Sequence, residues 1–344
     1  MRGTVDVQAV LAGDRRALAR ALTEVENDSP AGREALDALF PHSGKAHLVG
    51  VTGSPGAGKS SLVNQMTRLL RNPEAGEAKK VAIVAVDPSS PFTGGAILGD
   101  RIRMRDITDD PGVFIRSMAS RGHLGGIART TSALVRVLDA AGFDLILIET
   151  VGAGQSEVDI ARLAHTTIVV EAPGMGDDIQ AIKAGILEIA DILVVNKADH
   201  PLADNTLRAL SASLEFARPG QVAAIDRFHH KELAFSQVQL DQTTNEFENE
   251  HWTPPVLKTV STEGVGIEKV VEAIEKHAAF LRTHNQWNIR DAARLQEELN
   301  ELLMAAFAAE WRKQVEQSRI EAVLGEMLER KLSPQSAALK LLSA

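Results

Sequence analysis

The sequence predicts an α/β protein built on a mostly parallel sheet flanked by helices. Three observations predict it. Between Ala46 and about Leu281, short apolar runs ending in polar or glycine residues alternate with stretches of helical periodicity. The runs are continuous and rich in β-branched residues, the pattern of strands covered on both faces. A glycine-rich bend, Gly53-Ser54-Pro55-Gly56-Ala57-Gly58-Lys59-Ser60, joins the first run to an amphipathic segment, as a strand–loop–helix phosphate-binding unit does.

Composition narrows the classes. The chain has 344 residues, 44% of them hydrophobic, enough for a large core. A net charge of −9 and a pI near 5.6 argue against a nucleic-acid partner held by a basic surface. Cysteine is absent, so disulfides, zinc ribbons and thiolate chemistry are excluded. No apolar run reaches transmembrane length. Met1 to Leu11 contains Asp6 and is followed by Asp14, Arg15 and Arg16, which suits neither a secretory signal nor a transit peptide. The expectation is a soluble cytoplasmic protein with no membrane and no nucleic acid among its partners.

Residues 1–43 read as a helical N-terminal arm, with Val7, Val10, Leu11, Leu18, Leu22, Val25, Leu36 and Leu39 at helical spacing. Pro41-His42-Ser43-Gly44 breaks it. Residues 44–285 carry the sheet, with strands expected at 47–51, 81–86, 113–115, 144–148, 167–170, 192–195 and 256–260. Residues 218–254 read as a helix and then a surface excursion. Residues 286–344 read as a helical C-terminal extension. A long helix from Asn288 to about Gln317 carries a stripe of Ala292, Leu295, Leu299, Leu302, Leu303, Phe307 and Trp311, and two shorter helices follow. On pattern alone the stripe either packs on its own core or faces a second copy.

Ligands of parallel sheets bind at the carboxyl ends of the strands, so the polar tails after the runs are the candidate chemistry. In the first bend, glycines let several backbone N–H groups point at phosphate oxygens, and the helix start adds partial positive charge. Gly53, Ser54, Pro55, Gly56, Ala57 and Gly58 form this cradle, with Ser61 at the helix start. Lys59 is placed to reach β- and γ-phosphates and the Ser60 hydroxyl to sit on Mg²⁺. After the strand at 192–195 comes Asn196-Lys197-Ala198-Asp199. A carboxylate at Asp199 can accept from both N1–H and the exocyclic amine of guanine, a donor pair adenine lacks, so this position selects GTP over ATP. Lys197 would lie along the base and Asn196 tie the loop together. Ser261-Thr262-Glu263-Gly264, after the last strand, is either a second base-contacting loop or an ordinary strand–helix turn capped by Ser261 or Thr262. Asp87 and Glu149 end strands on the phosphate side. Asp100 lies in the polar segment Gly99-Asp100-Arg101-Ile102-Arg103-Met104. Asp87 and Glu149 read as acids for Mg²⁺ and the Asp100 segment as one placed to close over the nucleotide, although each acid alone is equally a solvated carboxylate. Arg116, Arg121 and His123 read as a basic turn at a strand end, placed for phosphate, a partner or solvent alike. Gln155 and Gln180 are candidates to orient water, and His229-His230 reads as surface.

With these motifs placed, longer segments resemble one family. Asp87-Pro88-Ser89-Ser90-Pro91, Gly99 to Met104, Glu149-Thr150-Val151-Gly152 through Glu157, and Asp177-Asp178-Ile179-Gln180 with Lys183 are similar to the MeaB/ArgK-type P-loop GTPases, relatives of the methylmalonic aciduria type A protein. The resemblance covers most of the chain. It implies a P-loop NTPase sheet and a GTP hydrolase that uses Mg²⁺ and cycles between GTP and GDP. It also implies a chaperone that binds an adenosylcobalamin-dependent acyl-CoA mutase, usually methylmalonyl-CoA mutase, and serves cofactor loading and protection or reactivation. By resemblance, Lys59, Asp100 and Glu149 are the catalytic set, and Ser60, Asp87, Asp100 and Glu149 hold the metal. Arg103, Asp177 and Lys183 belong to a switch that signals to the mutase, and a homodimer forms through the C-terminal helices. The departure is Ser-Thr-Glu at 261–263, where many GTPases have Ser-Ala-Lys. Two other readings share parts of the pattern: a metal-insertion GTPase of the hydrogenase or urease type, and a small-molecule kinase linked to amino-acid transport. The first wants Cys or clustered His, and Asp199 argues against the second.

Overall fold

The computed structural model describes residues 4–88, 104–120, 126–150, 156–174, 188–216 and 251–342. They form two compact units, one ending at Arg294 and one beginning at Leu295.

In the first unit, three helices open the chain: α1 (Val7–Leu11), α2 (Arg15–Glu26) and α3 (Pro30–Leu39). Each begins at a side chain that accepts from first-turn amides: Asp6 from Ala9, Asp14 from Arg16 and Ala17, and Ser29 from Gly32, with Pro30 opening the last of them. Seven strands follow: β1 (His47–Gly53), β2 (Val81–Pro88), β3 (Val113–Ser120), β4 (Leu145–Thr150), β5 (Thr166–Glu171), β6 (Ile192–Val195) and β7 (Val256–Lys258). They make one parallel sheet in the order β3-β2-β4-β1-β5-β6-β7. Every expected run contains a strand, the last a shorter one that stops at Lys258. Between the strands lie α4 (Lys59–Arg71), α5 (Arg105–Thr108), α6 (Gly126–Ala140), α7 (Ser156–Leu163) and α8 (Ala203–Phe216), and α9 (Ile267–Thr283) follows the sheet.

Residues of β1, β4, β5 and β6 are all buried, because both faces are covered. Side-chain alternation divides the core. Ile146 and Ile148 face a layer made by Leu18 and Leu22 of α2, Leu134 and Leu138 of α6, and Ile160 of α7. Leu145 and Leu147 face Leu62, Val63 and Met66 of α4 and Val270 and Ile274 of α9. The N-terminal helices are thus part of the layer that covers one side of the sheet. They also explain one corrected expectation. Arg116 is not in a turn but inside β3, which runs on to Ser120, and its guanidinium is paired with Glu26 of α2. The helix supplies the countercharge that lets a polar residue extend the strand. Arg121, His123, Gln155, Gln180 and the His229-His230 pair lie outside the described residues.

The amino-terminal edge of the sheet carries a buried polar network. His47 Nε2 lies 2.8 Å from the Thr166 hydroxyl, which lies 2.9 Å from His277 Nδ1. Arg290, in the first turns of α10 (Gln286–Gln314), donates to both Asp191 oxygens at 3.1 Å and to the His165 carbonyl at 2.6 Å. His165 Nδ1 accepts from the Leu48 amide at 3.1 Å, so Nε2 carries the proton and donates it to Asp291 at 2.8 Å. Burial brings both His165 and His277 down to about 4. Burial pushes Asp191 the other way, but the charges of Arg290 and then His277 outweigh it and hold the carboxyl at about 2.

The second unit comprises the remainder of α10 with α11 (Gln317–Leu328) and α12 (Pro334–Leu342). Val323 and Ala337 are buried within it, and Lys340 pairs with Glu326 at 2.7 Å. Its apolar stripe is open: Leu299, Leu302, Leu303, Met304 and Phe307 are 46–70% exposed.

Candidate nucleotide site

The site is assembled where β1, β4, β5 and β6 end. β1 closes on Gly53, which pairs with Val170 of β5. The Gly53 φ is +128°, and a Cβ there would lie 2.0 Å from the Val170 carbonyl oxygen, so no other residue fits. The chain then curls through residues 54–58 into α4. Gly58, at φ +93°, caps that helix without a side-chain acceptor, leaving its first amides for an external anion. A Cβ on Gly58 would meet the Asn196 side-chain nitrogen at 2.3 Å.

Lys59 is buried, and its ammonium donates to the carbonyls of Gly53 at 2.8 Å and Ser54 at 3.0 Å. Ser60 and Glu149 are also buried, at 8% and 4% exposure, and the Ser60 hydroxyl donates to a Glu149 carboxylate oxygen at 2.5 Å. A hydroxyl and a carboxylate that meet in a dry corner are hard oxygen donors of the kind Mg²⁺ takes. Asp87 is in β2, opposite Ala119 of β3. Among the described residues no group of three or more acids and histidines is gathered as a cage for a metal. Magnesium at phosphate sites does not require one, since phosphate oxygens and water fill most positions. Asp100, Arg103, Asp177 and Lys183 lie outside the described residues.

Asn196, 2% exposed, joins three loops. Its amide nitrogen donates to the Ala57 carbonyl of the glycine-rich bend at 2.8 Å. Its amide oxygen accepts from the Thr259 hydroxyl at 3.0 Å, the Ser261 amide at 3.1 Å and the Ser261 hydroxyl at 2.8 Å. Lys197 follows at φ +56°, in the left-handed region. The Ala198 amide then donates to the Thr259 carbonyl at 3.0 Å. The strain turns the chain so that Lys197 and Asp199 are exposed, while Asn196 stays inside. Ser261 is buried, whereas Thr262 and Glu263 are exposed in a turn closed by the Glu263 amide on the Val260 carbonyl at 3.0 Å. The structure therefore brings 53–61, 149, 196–199 and 261–263 to one end of the sheet.

One residue at this site escaped the sequence reading. Glu171 closes β5, is 7% exposed, and accepts from the Ser54 hydroxyl at 2.7 Å. The signal was available: an acid directly after a buried apolar run, as with Asp87 and Glu149. A cleft of about 420 Å³ lies at the other edge of the sheet, lined by His47, Leu145, Val271 and Arg282, and contains none of the motif residues.

A parallel sheet with a glycine-rich bend after its central strand, a lysine and serine opening the next helix, and Asn-Lys-x-Asp two strands away defines a P-loop NTPase of the GTPase kind. The comparisons narrow this. Residues 18–316 match the family model described as methylmalonyl Co-A mutase-associated GTPase MeaB, and the chain belongs to that family. A Pyrococcus horikoshii protein with a provisional GTPase name is 41% identical, over 96% of this chain and 95% of that one. GTPase ArgK of Escherichia coli is 38% identical over 76% and 72%. The mitochondrial methylmalonic aciduria type A homolog of Caenorhabditis elegans is 36% identical over 62% and 57%. Among solved structures, an LAO/AO transport system kinase superposes with a TM-score of 0.62 and 26% identity, covering 98% of this chain and 95% of that one. The activity is hydrolysis of GTP to GDP and phosphate.

Proposed function

We propose that this GTPase is a chaperone of an adenosylcobalamin-dependent acyl-CoA mutase, with methylmalonyl-CoA mutase as the expected client. It couples the nucleotide cycle to cofactor loading and to protection or reactivation of the mutase. The observation that supports this reading most is the family match over residues 18–316, whose description names that mutase. The C. elegans relative carries the name of the corresponding aciduria.

In this reading the backbone N–H groups of residues 53–58 other than Pro55, with the start of α4, hold the phosphates, and Asp199 holds the guanine edge. Ser60 and Glu149, with Asp87 and Asp100, hold Mg²⁺, which when bound neutralises the charge that develops on the phosphates. Lys59 is already desolvated on two loop carbonyls, and a phosphate oxygen is a stronger acceptor than either. Hydrolysis then rests on positioning and charge stabilisation, and the switch segment around Asp177 and Lys183, with Arg103, relaxes when the terminal phosphate leaves. Intrinsic turnover is slow and rises when the mutase orders that segment. Thr262 and Glu263 serve the base through their backbone. The open stripe Leu299–Phe307 is the face of a homodimer, and the protein works in the cytoplasm. Among the described residues no helix is long and apolar enough to cross a membrane.

The test is co-purification with candidate cobalamin mutases under GDP and under a non-hydrolysable GTP analogue. The proposal expects capture that differs between the two states, and GTP turnover that rises on adding the mutase. Equal turnover with and without the mutase, and no capture in either state, overturns it. The name of the LAO/AO structure raises a second reading, a kinase acting on a transported amino acid or its carrier. That reading expects labelled γ-phosphate on an acceptor rather than in water.

A further inference from the structure

The Ser54–Glu171 contact falls at the start of the phosphate loop, yet no motif assigns Glu171 a role. The geometry begins with Gly53. Because that residue lacks a Cβ, β1 runs against the Val170 carbonyl more closely than any other side chain permits. The residues that follow, Ser54 and Glu171, are thereby brought side by side where both strands end. The Ser54 hydroxyl donates to Glu171 at 2.7 Å, and the Ser54 carbonyl accepts from Lys59 at 3.0 Å. One residue of the loop is thus held from both sides, by a buried acid on its side chain and by the lysine on its backbone. The Glu171 carbonyl also accepts from the Asn196 backbone N–H at 2.8 Å, so the same residue touches the start of the base-reading motif.

A charge-assisted hydrogen bond to a nearly buried carboxylate is among the stronger single restraints on a loop. It acts on Ser54 whether or not Lys59 remains on the loop carbonyls. When Lys59 turns to a phosphate, Ser54 keeps the turn bond from the Ala57 amide to its carbonyl at 3.1 Å, and the Glu171 contact is what ties its side chain to the sheet. We propose that Glu171 is a positioning residue for GTP hydrolysis: through Ser54 it holds the phosphate loop in its working curve while Lys59 serves the nucleotide. This inference rests on the GTPase activity and not on the mutase reading.

The experiment uses the full chain without any partner. Single-turnover GTP hydrolysis, KM for GTP, GDP affinity and thermal stability are measured for Ser54→Ala, Glu171→Ala, Glu171→Gln and the Ser54→Ala/Glu171→Ala double variant. Misplacing a reacting group by about 1 Å can cost roughly a hundredfold in rate. Ser54→Ala and Glu171→Ala are therefore expected to lose about that much in the hydrolysis rate, with KM and GDP affinity within about threefold of wild type. Glu171→Gln keeps an acceptor oxygen and is expected to recover most of the rate. The double variant should be no slower than the slower single variant, because both remove one contact.

Wild-type rates in folded Ser54→Ala overturn the proposal, as does a fully additive double variant. A Glu171→Gln variant as slow as Glu171→Ala also overturns it, since an acceptor for the Ser54 hydroxyl would then not be what sustains the rate. If Glu171→Ala does not fold, Ser54→Ala and Glu171→Gln still decide. Lys59→Ala serves as the control on the GTPase itself: a wild-type rate there rejects the phosphate-loop assignment, separately from any result at Glu171.

Discussion

Replacing Asn196 with alanine is the sharpest perturbation of the site that leaves every expected nucleotide contact chemically intact. The asparagine is 2% exposed and satisfies two backbone groups that have no route to water, the Ala57 carbonyl and the Ser261 amide. Leaving a buried backbone group unpaired costs about 1–3 kcal/mol, so the two together cost roughly 2–6 kcal/mol. The hydroxyls of Thr259 and Ser261 can rotate to other acceptors and are left out of that sum. At roughly 2–4 °C per kcal/mol for a protein of this size, the melting temperature should fall by about 10 °C. The same change frees the glycine-rich bend from the base-reading loops, so GDP affinity should drop by at least about tenfold. Asn196→Asp is the informative companion. Its carboxylate keeps the three accepted bonds but sets an oxygen against the Ala57 carbonyl, so it should lose nucleotide as Asn196→Ala does while recovering part of the stability. Urea titration and fluorescent-GDP binding read both quantities. If Asn196→Ala unfolds within about 1 kcal/mol of wild type and binds GDP normally, the loops are not joined through this side chain.

Other expectations follow from the same structure. Gly53→Ala should abolish nucleotide binding, because its methyl would lie 2.0 Å from the Val170 oxygen; ordinary GDP binding by calorimetry would refute the close approach. Stability should depend on acid in two windows. His165 and His277 sit near 4 in the fold, below their ordinary value of 6.5, so their contribution is complete above 6.5 and is lost as pH falls from there through 4. Each is worth about 3 kcal/mol. Asp191, held near 2 against 3.8, adds a further loss as pH falls through 3.8 to 2. Urea midpoints that stay flat from pH 7 to 4.5 would contradict the histidine part. Phe307→Glu and Leu303→Glu, on the open stripe, should convert a dimer to a monomer in sedimentation without changing GTP hydrolysis; an unchanged sedimentation coefficient counts against that face as the dimer contact.

The sheet was legible because buried strands leave unbroken apolar runs, as in Val81 to Val86 and Leu145 to Ile148. The carboxyl ends were less so. Beyond Ile115, β3 turns polar, and only the Glu26 partner, ninety residues earlier, explains why Arg116 remains in the strand. The candidate site was largely visible because its motifs are contiguous, each a bend after a strand. Glu171 was overlooked because its partner, Ser54, lies across a strand pair and not in its own segment. The polar network at the sheet's other edge was invisible for the same reason. His47, His165 and His277 are more than a hundred residues apart; the parallel pairing of β1 with β5 sets the first two together, and α9 brings the third to Thr166.

We propose that Asp199 reads guanine while Lys59 and its loop hold the phosphates. Hydrolysis and binding of GTP, ATP and xanthosine triphosphate by wild type and Asp199→Asn test it most directly. Wild type should favour GTP over ATP by at least about a hundredfold, and Asp199→Asn should lose GTP and gain xanthosine triphosphate. Equal use of ATP by wild type, or undiminished GTP binding by Asp199→Asn, would contradict the account.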